Sequence, residues 1–380
     1  MIRAITIDNF KSLVNFSIDF AKLTCLIGLN GSGKSTVLQV IDFIKQLVTG
    51  NLSGWLEERA WQPEELFSHF KPSGPIHFEV KLQFDESHYL WSGDFNLNTL
   101  TCTQEKIVND ISGEMLFEVA NGSYRINPEG PKKIEFKYQG SALSVLLEEA
   151  LTPELEKIRG FLTAVKSFDL LSPQLMRQSI RQSDNELGLS GEKLSAFLHS
   201  LSSAKRLELN RQIKTLLSPS FEGFETTSRP SGHKLLFVEE NFSQHRTKTE
   251  ARHVSDGLLR ILAIFSQTLT GHTALLFDEI EDGINPEWVE ALVDVLVASP
   301  KQIILTTHSP MVLNYLEDDQ AKESVIFIYK DKRGLTQQCR FFSIAEVRKK
   351  LDILGPGEVM VDVNLSELAE ELSCECVSER

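Results

Sequence analysis

The chain has 380 residues, 41% of them hydrophobic and 24% charged, and carries a formal net charge of −14. This composition fits an ordinary globular chain of two or three domains, or one head with large insertions, and no apolar run approaches the ~20 residues of a membrane helix. The acidic balance excludes a protein that grips nucleic acid over its whole surface, so any such contact needs a local basic patch.

In chain order, MIRAITIDNF alternates like a strand and lacks the apolar core of a secretory signal, which places the chain in the cytoplasm with no membrane partner. LTCLIG reads as a short buried strand. In STVLQVIDFIKQLV, Val37, Leu38, Val40, Ile41, Ile44 and Val48 recur at three- and four-residue steps, which predicts a helix. Between the two lies GLNGSGKST, Gly28 to Thr36, which matches G-x-x-x-x-G-K-[ST] in the strand–turn–helix setting that pattern requires. The expected phosphate cradle is Asn30, Gly31, Ser32, Gly33, Lys34, Ser35 and Thr36. Its glycines let backbone N–H groups converge on phosphate oxygens, and the helix N-terminus adds positive character. Lys34 would reach the β- and γ-phosphates, and Ser35 would offer its hydroxyl to Mg²⁺.

IHFEVKLQF, YLWSGDFNL, MLFEVA and IEFKY, between Pro75 and Tyr138, read as antiparallel strands. Gly140 to Ser218 reads as mostly helical, with SALSVLLEEAL, LEKIRGFLTAVKSF and the stretch from Gly191 to Leu217 as helices, and no sustained heptad argues for a long coiled coil. Arg177, Arg181, Lys205, Arg206, Arg211 and Lys214 fall here; a solvated helix face explains them better than a nucleic-acid patch. Strands return at FEGFETTS and HKLLFVEE. RHVSDGLLRILAIFSQTL is then a polar turn entering an apolar helix, with Ser255 and Asp256 as capping residues and Gly257 permitting close approach. TALLFDEIEDGINP follows: a continuous apolar run, Ala274 to Phe277, ending in Asp278-Glu279. Ligands of parallel sheets bind beyond the carboxyl ends of strands, so Asp278 is expected to support Mg²⁺ and Glu279 to orient or deprotonate water. KQIILTTHSP is the next such strand and places His308 at the same edge. Beyond it, SVIFIYK and QQCRFFS read as strands, and IAEVRKKLDIL and LSELAEELS as helices. The five scattered cysteines show no disulfide framework, and Cys374-Glu375-Cys376 reads as a frayed tail rather than half a metal site.

The set DNFKSL, GLNGSGKST, VSDGLLR, LLFDEIEDGINP and LTTHSP resembles the ABC-type ATPases, and more narrowly the RecF/SMC-related heads of bacterial AbiEii/OLD-type phage-defence proteins. The resemblance implies an α/β P-loop NTPase fold of the ABC/SMC-head type, with a mixed sheet, an antiparallel β lobe and an inserted helical subdomain. Its expected parts are 1–139 and 219–345 as the two ATPase lobes, 140–218 as the helical insertion and 346–380 as a helical tail. It implies ATP and Mg²⁺ as cofactors, Lys34, Glu279 and His308 as catalytic residues, and Ser35 and Asp278 at the metal, with Gln62 in AWQPEEL as the candidate for the metal-contacting glutamine. It adds Lys11 of DNFKSL, Ser255 and Gly257 to the nucleotide contacts. It further implies a homodimer in which the Ser255 turn of one copy covers the nucleotide of the other, acting on nucleic acid or on an effector such as a nuclease or toxin. The sequence departs from the general pattern at Asp256 and Leu258 in the signature, at Ile280 after the catalytic acid and at Asn285. The tail lacks a convincing acidic cluster, so no intrinsic nuclease is expected. Two other functions stay open: the ATP-binding subunit of a transporter, and a nucleotide-gated scaffold with little turnover.

Overall fold

The computed structural model describes residues 1–378 apart from 72, 170, 182–185, 217–219 and 244, with the backbone alone described for 375–378. Strands β1 (Ile2–Asp8) and β2 (Phe16–Asp19) flank the DNFKSL turn, and β3 (Leu23–Ile27) leads through the glycine loop into α1 (Lys34–Thr49). After α2 (Leu52–Glu58) come β4 (Ile76–Phe84), β5 (Ser87–Asn96), β6 (Thr101–Asn109), β7 (Met115–Ala120), β8 (Ser123–Ile126) and β9 (Lys132–Lys133). The middle of the chain forms α3 (Pro153–Thr163), β10 (Val165–Phe168), α4 (Pro173–Met176), α5 (Leu194–Ser200), α6 (Ser203–Leu216), β11 (Phe221–Ser228), β12 (Lys234–Phe242) and β13 (His245–Glu250). Then follow α7 (Asp256–Thr268), β14 (Ala274–Phe277), α8 (Pro286–Ala298), β15 (Gln302–Thr306), α9 (Pro310–Asn314), α10 (Asp318–Ser324), β16 (Val325–Lys330), β17 (Thr336–Arg340), α11 (Ala345–Leu351), α12 (Pro356–Asp362) and α13 (Leu365–Ser378). No helix among the described residues is long and apolar enough to cross a membrane.

These strands make three sheets. The first is antiparallel, in the order β2-β1-β4-β5-β6-β7-β8-β9. The second, β10-β14-β15-β3-β16-β17, is parallel except for its β16–β17 edge. The third is the antiparallel set β11-β12-β13. The parallel strands are buried on both faces, which is why they read as unbroken apolar runs. Their side chains alternate between two cores: Leu275 and Phe277 pack with α7 and α8, while Ala274 and Leu276 pack with α1 and the antiparallel sheet. Gln302 bolts the first and second sheets together, accepting from Ile2 N at 2.9 Å and donating to Ile2 O at 2.7 Å.

Helix α1 forms where the periodicity predicts it, with Val37, Leu38, Val40, Ile41, Ile44 and Val48 buried. Gly33 and Gly50 bound it, at φ of 112° and 75° respectively. Three readings differ from the structure. SALSVLLEEAL makes two short 3₁₀ turns, Ala142–Ser144 and Glu148–Ala150: Leu143 and Leu146 are buried but Leu147 is exposed, so packing overrides a helical apolar spacing. The helix expected over LEKIRGFLTAVKSF stops at Thr163, and the β-branched and aromatic Val165–Phe168 joins the parallel sheet as β10, so 140–218 is not wholly helical. Ile134–Tyr138 is not a strand: Phe136 packs on Tyr124, and Tyr138 donates its hydroxyl to Cys102 O, anchoring the segment by side chains. Position 218, the expected end of the insertion, and the side chain of Cys376 lie outside the described residues.

Candidate nucleotide site

The glycine loop connects β3 to α1 by a backbone that side chains would obstruct. Gly28 has φ of 146°, and a Cβ there would stand 2.1 Å from Ile328 O on β16. A Cβ on Gly33 would stand 2.4 Å from Thr336 Oγ1 on β17. At Gly31 only the backbone matters: φ is 75° and nothing lies within 4 Å of a Cβ. Asn30 and Gly31 are exposed at the loop's rim, and Ser35 and Thr36 are partly exposed in the first turn of α1. Lys34 is buried and bridges the loop, donating to Gly28 O at 3.0 Å and Leu29 O at 3.1 Å. Burial lowers its pKa, against the opposing pull of Asp278, Glu279 and Glu281. Ser32 Oγ is buried without a partner among the described residues. An unmet hydroxyl, a lysine tethered only to carbonyls and an open glycine suit a phosphate ligand.

The loop is braced from a distant part of the chain. Thr336 Oγ1 lies 3.0 Å from Ser32 O, 2.8 Å from Ser12 Oγ and 3.0 Å from Lys330 Nζ, and Thr336 N donates to Ser12 O. One buried threonine thus ties the glycine loop, the DNFKSL turn and the β16–β17 hairpin together. Lys11, at φ of 48°, projects from that turn; its Nζ donates to Gln39 Oε1 on α1 and lies 3.3 Å from the Trp61 ring centroid. Burial lowers Lys11 to about 8.

Asp278 and Glu279 leave the end of β14 beside the end of β15, with Phe277 paired to Leu305. Thr306 Oγ1 donates to Asp278 Oδ1 at 2.6 Å and accepts from Glu279 N at 2.8 Å. This grip holds Glu279 at φ of 47°, a conformation a glutamate rarely adopts. Glu279 Oε1 lies 3.8 Å from His308 Nε2, beyond hydrogen-bond length. Glu281 Oε1 accepts from His308 N at 2.8 Å, fastening the two strand-end loops to each other.

The structure brings a further acid here that the sequence reading missed. β10 pairs with β14, Asp278 N donates to Phe168 O, and Asp169 is next in line. Its pKa is raised, first by burial and then by Asp42 and Asp278 against the pull of Arg59. The sequence signal was the same as at Asp278, an apolar strand ending in an acid, but it was read as the tail of a helix. Gln62 heads the 3₁₀ turn Pro63–Leu66; its hydrogen bonds close that turn through Glu65, and among the described residues none reaches Asp278 or Ser35.

Ser255 caps α7, exposed, and its hydroxyl makes no hydrogen bond among the described residues. Gly257 permits contact with the turn that follows Glu279: a Cβ would meet Gly283 O at 3.0 Å. Arg260 Nη2 donates to Asp282 Oδ2 of that turn at 2.7 Å, and Arg177 pairs with Asp256 beside the cap. The start of α7 and the Glu279 loop therefore form one packed unit.

A family model described as AAA ATPase domain matches residues 1–195, more than half of the chain. The chain belongs to this AAA ATPase family. A second model, described as AAA domain, putative AbiEii toxin, Type IV TA system, matches residues 149–314 of this AAA ATPase. The OLD nuclease of Thermus scotoductus is 28% identical over 190 residues, 49% of this chain and 33% of that protein. The DNA double-strand break repair Rad50 ATPase of Methanococcus maripaludis is 24% identical over 262 residues, 66% of this chain and 25% of that protein. The chain thus spans a quarter to a third of the length of these curated relatives. An SMC head bound to the C-winged helix domain of ScpA superposes with a TM-score of 0.56 at 16% identity, covering 89% of this chain and 97% of that one. An Smc head with an extended coiled coil, bound to the C-terminal domain of ScpA derived from Pyrococcus furiosus, gives 0.51 at 15% identity, with 92% and 99% covered. The fold is that of an SMC head, and in sequence this AAA ATPase is similar to the OLD nuclease, to the Rad50 ATPase and, over residues 149–314, to the AbiEii-type model.

Proposed function

We propose that this AAA ATPase hydrolyses ATP with Mg²⁺, closes as a homodimer around the nucleotide, and uses that closure as a switch on an effector protein or on nucleic acid in phage defence or DNA maintenance. The observation that carries the reading is the assembly of Lys34, Asp278, Glu279 and His308 at one sheet edge, packed through the Gly283–Asn285 turn against an α7 start whose exposed serine hydroxyl makes no hydrogen bond among the described residues.

The residues fit both cofactors. The glycine loop with its unpaired Ser32 hydroxyl suits a triphosphate, and Ser35 with Asp278 suits Mg²⁺, which takes one or two protein oxygens and completes its shell from phosphate and water. Ser35 and Asp278 would hold the metal ion, which would supply neutralisation of phosphate charge. Lys34, released from the Gly28 and Leu29 carbonyls, holds the terminal phosphate. In this reading Glu279, fixed by Thr306, orients the attacking water and takes its proton, and His308 contacts the γ-phosphoryl group as ADP leaves. The exposed Ser255 cap of a second copy completes the cage, so closure depends on the γ-phosphate that hydrolysis removes.

Phosphate release tests this directly. Wild type should turn over ATP, Lys34→Ala should neither bind nor hydrolyse it, and Glu279→Gln should bind without turnover. Equal inactivity of wild type and Glu279→Gln would reduce the chain to a nucleotide-binding scaffold.

A further inference from the structure

A second polar cavity, of about 230 Å³, lies beside the C-terminal half of α1, walled by α2 and β10. Lys45, Arg59, Lys166 and Lys193 line it, with Asp42, Glu58 and Glu186. The described carboxylates each have a cationic partner. Asp42 Oδ2 accepts from Arg59 Nη2 and Trp55 Nε1, both at 2.7 Å. Glu186 takes Lys166 Nζ at 2.6 Å. The Glu58 side chain is 56% exposed and stands 3.8 Å from Arg59.

The cations are not all satisfied in return. The Arg59 side chain is 5% exposed, and its Nε is buried with no acceptor among the described residues. Lys45 Nζ makes no hydrogen bond or ion pair among the described residues, although the residue is half-buried. Native proteins rarely leave buried donors unmet without a ligand or water to meet them. The local field agrees: neighbouring His272 is lowered to about 4, by burial first and then by Lys166, Lys301 and Lys45, and Lys45 is itself lowered by burial. The wall also carries Gln46, Asn51 and Ser167, whose side chains offer neutral donors.

We propose that this cavity is a binding site for a phosphate group, free or carried by a small molecule, held by Lys45 beside the Arg59 guanidinium. It is separate from the glycine loop and does not rest on the ATPase reading. Tetrahedral oxyanions match the chemistry because several donors line the cavity while each described carboxylate of the wall has a cationic partner.

The test is calorimetric titration of inorganic phosphate into the Lys34→Ala chain, which removes the glycine loop's own phosphate affinity, with sodium chloride at equal ionic strength as control. Saturable binding is expected, weakened at least tenfold in Lys34→Ala/Lys45→Met and regained in Lys34→Ala/Lys45→Arg. Lys45→Gln is the second neutral variant should Lys45→Met fail to fold. Tighter binding of inorganic phosphate than of ribose 5-phosphate would assign the free ion, and the reverse order a phosphorylated small molecule; either supports the site. No saturable heat in Lys34→Ala, heat reproduced by sodium chloride, or equal affinity with and without the Lys45 charge would overturn it.

Discussion

Thr336→Val asks whether the glycine loop is held in shape by a residue some 300 positions away. Valine keeps the shape of threonine and removes only the hydroxyl, which is fully buried and meets Ser32 O, Ser12 Oγ and Lys330 Nζ. Ser12 and Lys330 are partly exposed, so water replaces their lost partner at small cost. The Ser32 carbonyl loses its partner on the inner side of the loop, and an unmet buried acceptor costs about 1–3 kcal/mol. Stability to urea should therefore fall by about 2 kcal/mol. Because Thr336 touches the cradle and not the Asp278–Glu279 edge, the enzymatic defect should fall on KM. A loss of about 1.4 kcal/mol in loop preorganisation corresponds to roughly a tenfold rise in KM for ATP, with kcat nearly unchanged. Thr336→Ser retains the hydroxyl and should recover most of the affinity. Steady-state kinetics beside urea melts decide the matter. An unchanged KM in Thr336→Val, or a Thr336→Ser variant as poor as the valine, would refute the brace.

Two further expectations concern pH. Glu105 is buried in the antiparallel lobe, accepting from Ala142 N at 2.8 Å and Trp91 Nε1 at 3.4 Å, and burial raises it to about 7 from the usual 4.5. Between those values the folded chain keeps a proton that the unfolded chain releases, so stability should fall as pH rises through the window, by about 3 kcal/mol in all. Glu105→Gln, which stays neutral, should match wild type near pH 4.5 and exceed it above pH 7 in thermal melts; parallel profiles would contradict this. Lys11, lowered to about 8, loses its charge in the free protein above that pH. If its ammonium contacts nucleotide phosphate, KM for ATP should climb towards tenfold per pH unit above 8, and Lys11→Arg should flatten the rise in an ATPase assay across pH 7–9.5. A slope untouched by arginine would remove Lys11 from the site.

The site was legible in the sequence wherever its chemistry lies in one continuous stretch. Gly28 to Thr36 announce the cradle because glycine spacing and the following helix are local facts, and Asp278, Glu279 and His308 stand out because an apolar run ending in a polar residue marks a strand edge. Residues placed by non-local pairing were not legible. Asp169 follows a four-residue strand whose only justification is its partner β14, more than 100 residues later, so the apolar spacing of α3 was extended through it. Thr336 sits in no motif and matters only because β17 passes Gly33. Ile134–Tyr138 alternates like a strand, yet its aromatic side chains, rather than a backbone ladder, fix it. At α7 the cap was readable, but the packing of Gly257 on Gly283 O, which welds it to the Glu279 loop, required the fold.

The central claim is that nucleotide binds between two copies of the chain. Sedimentation of Glu279→Gln with saturating ATP and Mg²⁺, beside Lys34→Ala under the same conditions, tests it most directly. The account predicts a dimer for Glu279→Gln that returns to monomer when ADP replaces ATP, and a monomer throughout for Lys34→Ala. A Glu279→Gln chain that binds ATP and still sediments as a monomer would contradict it.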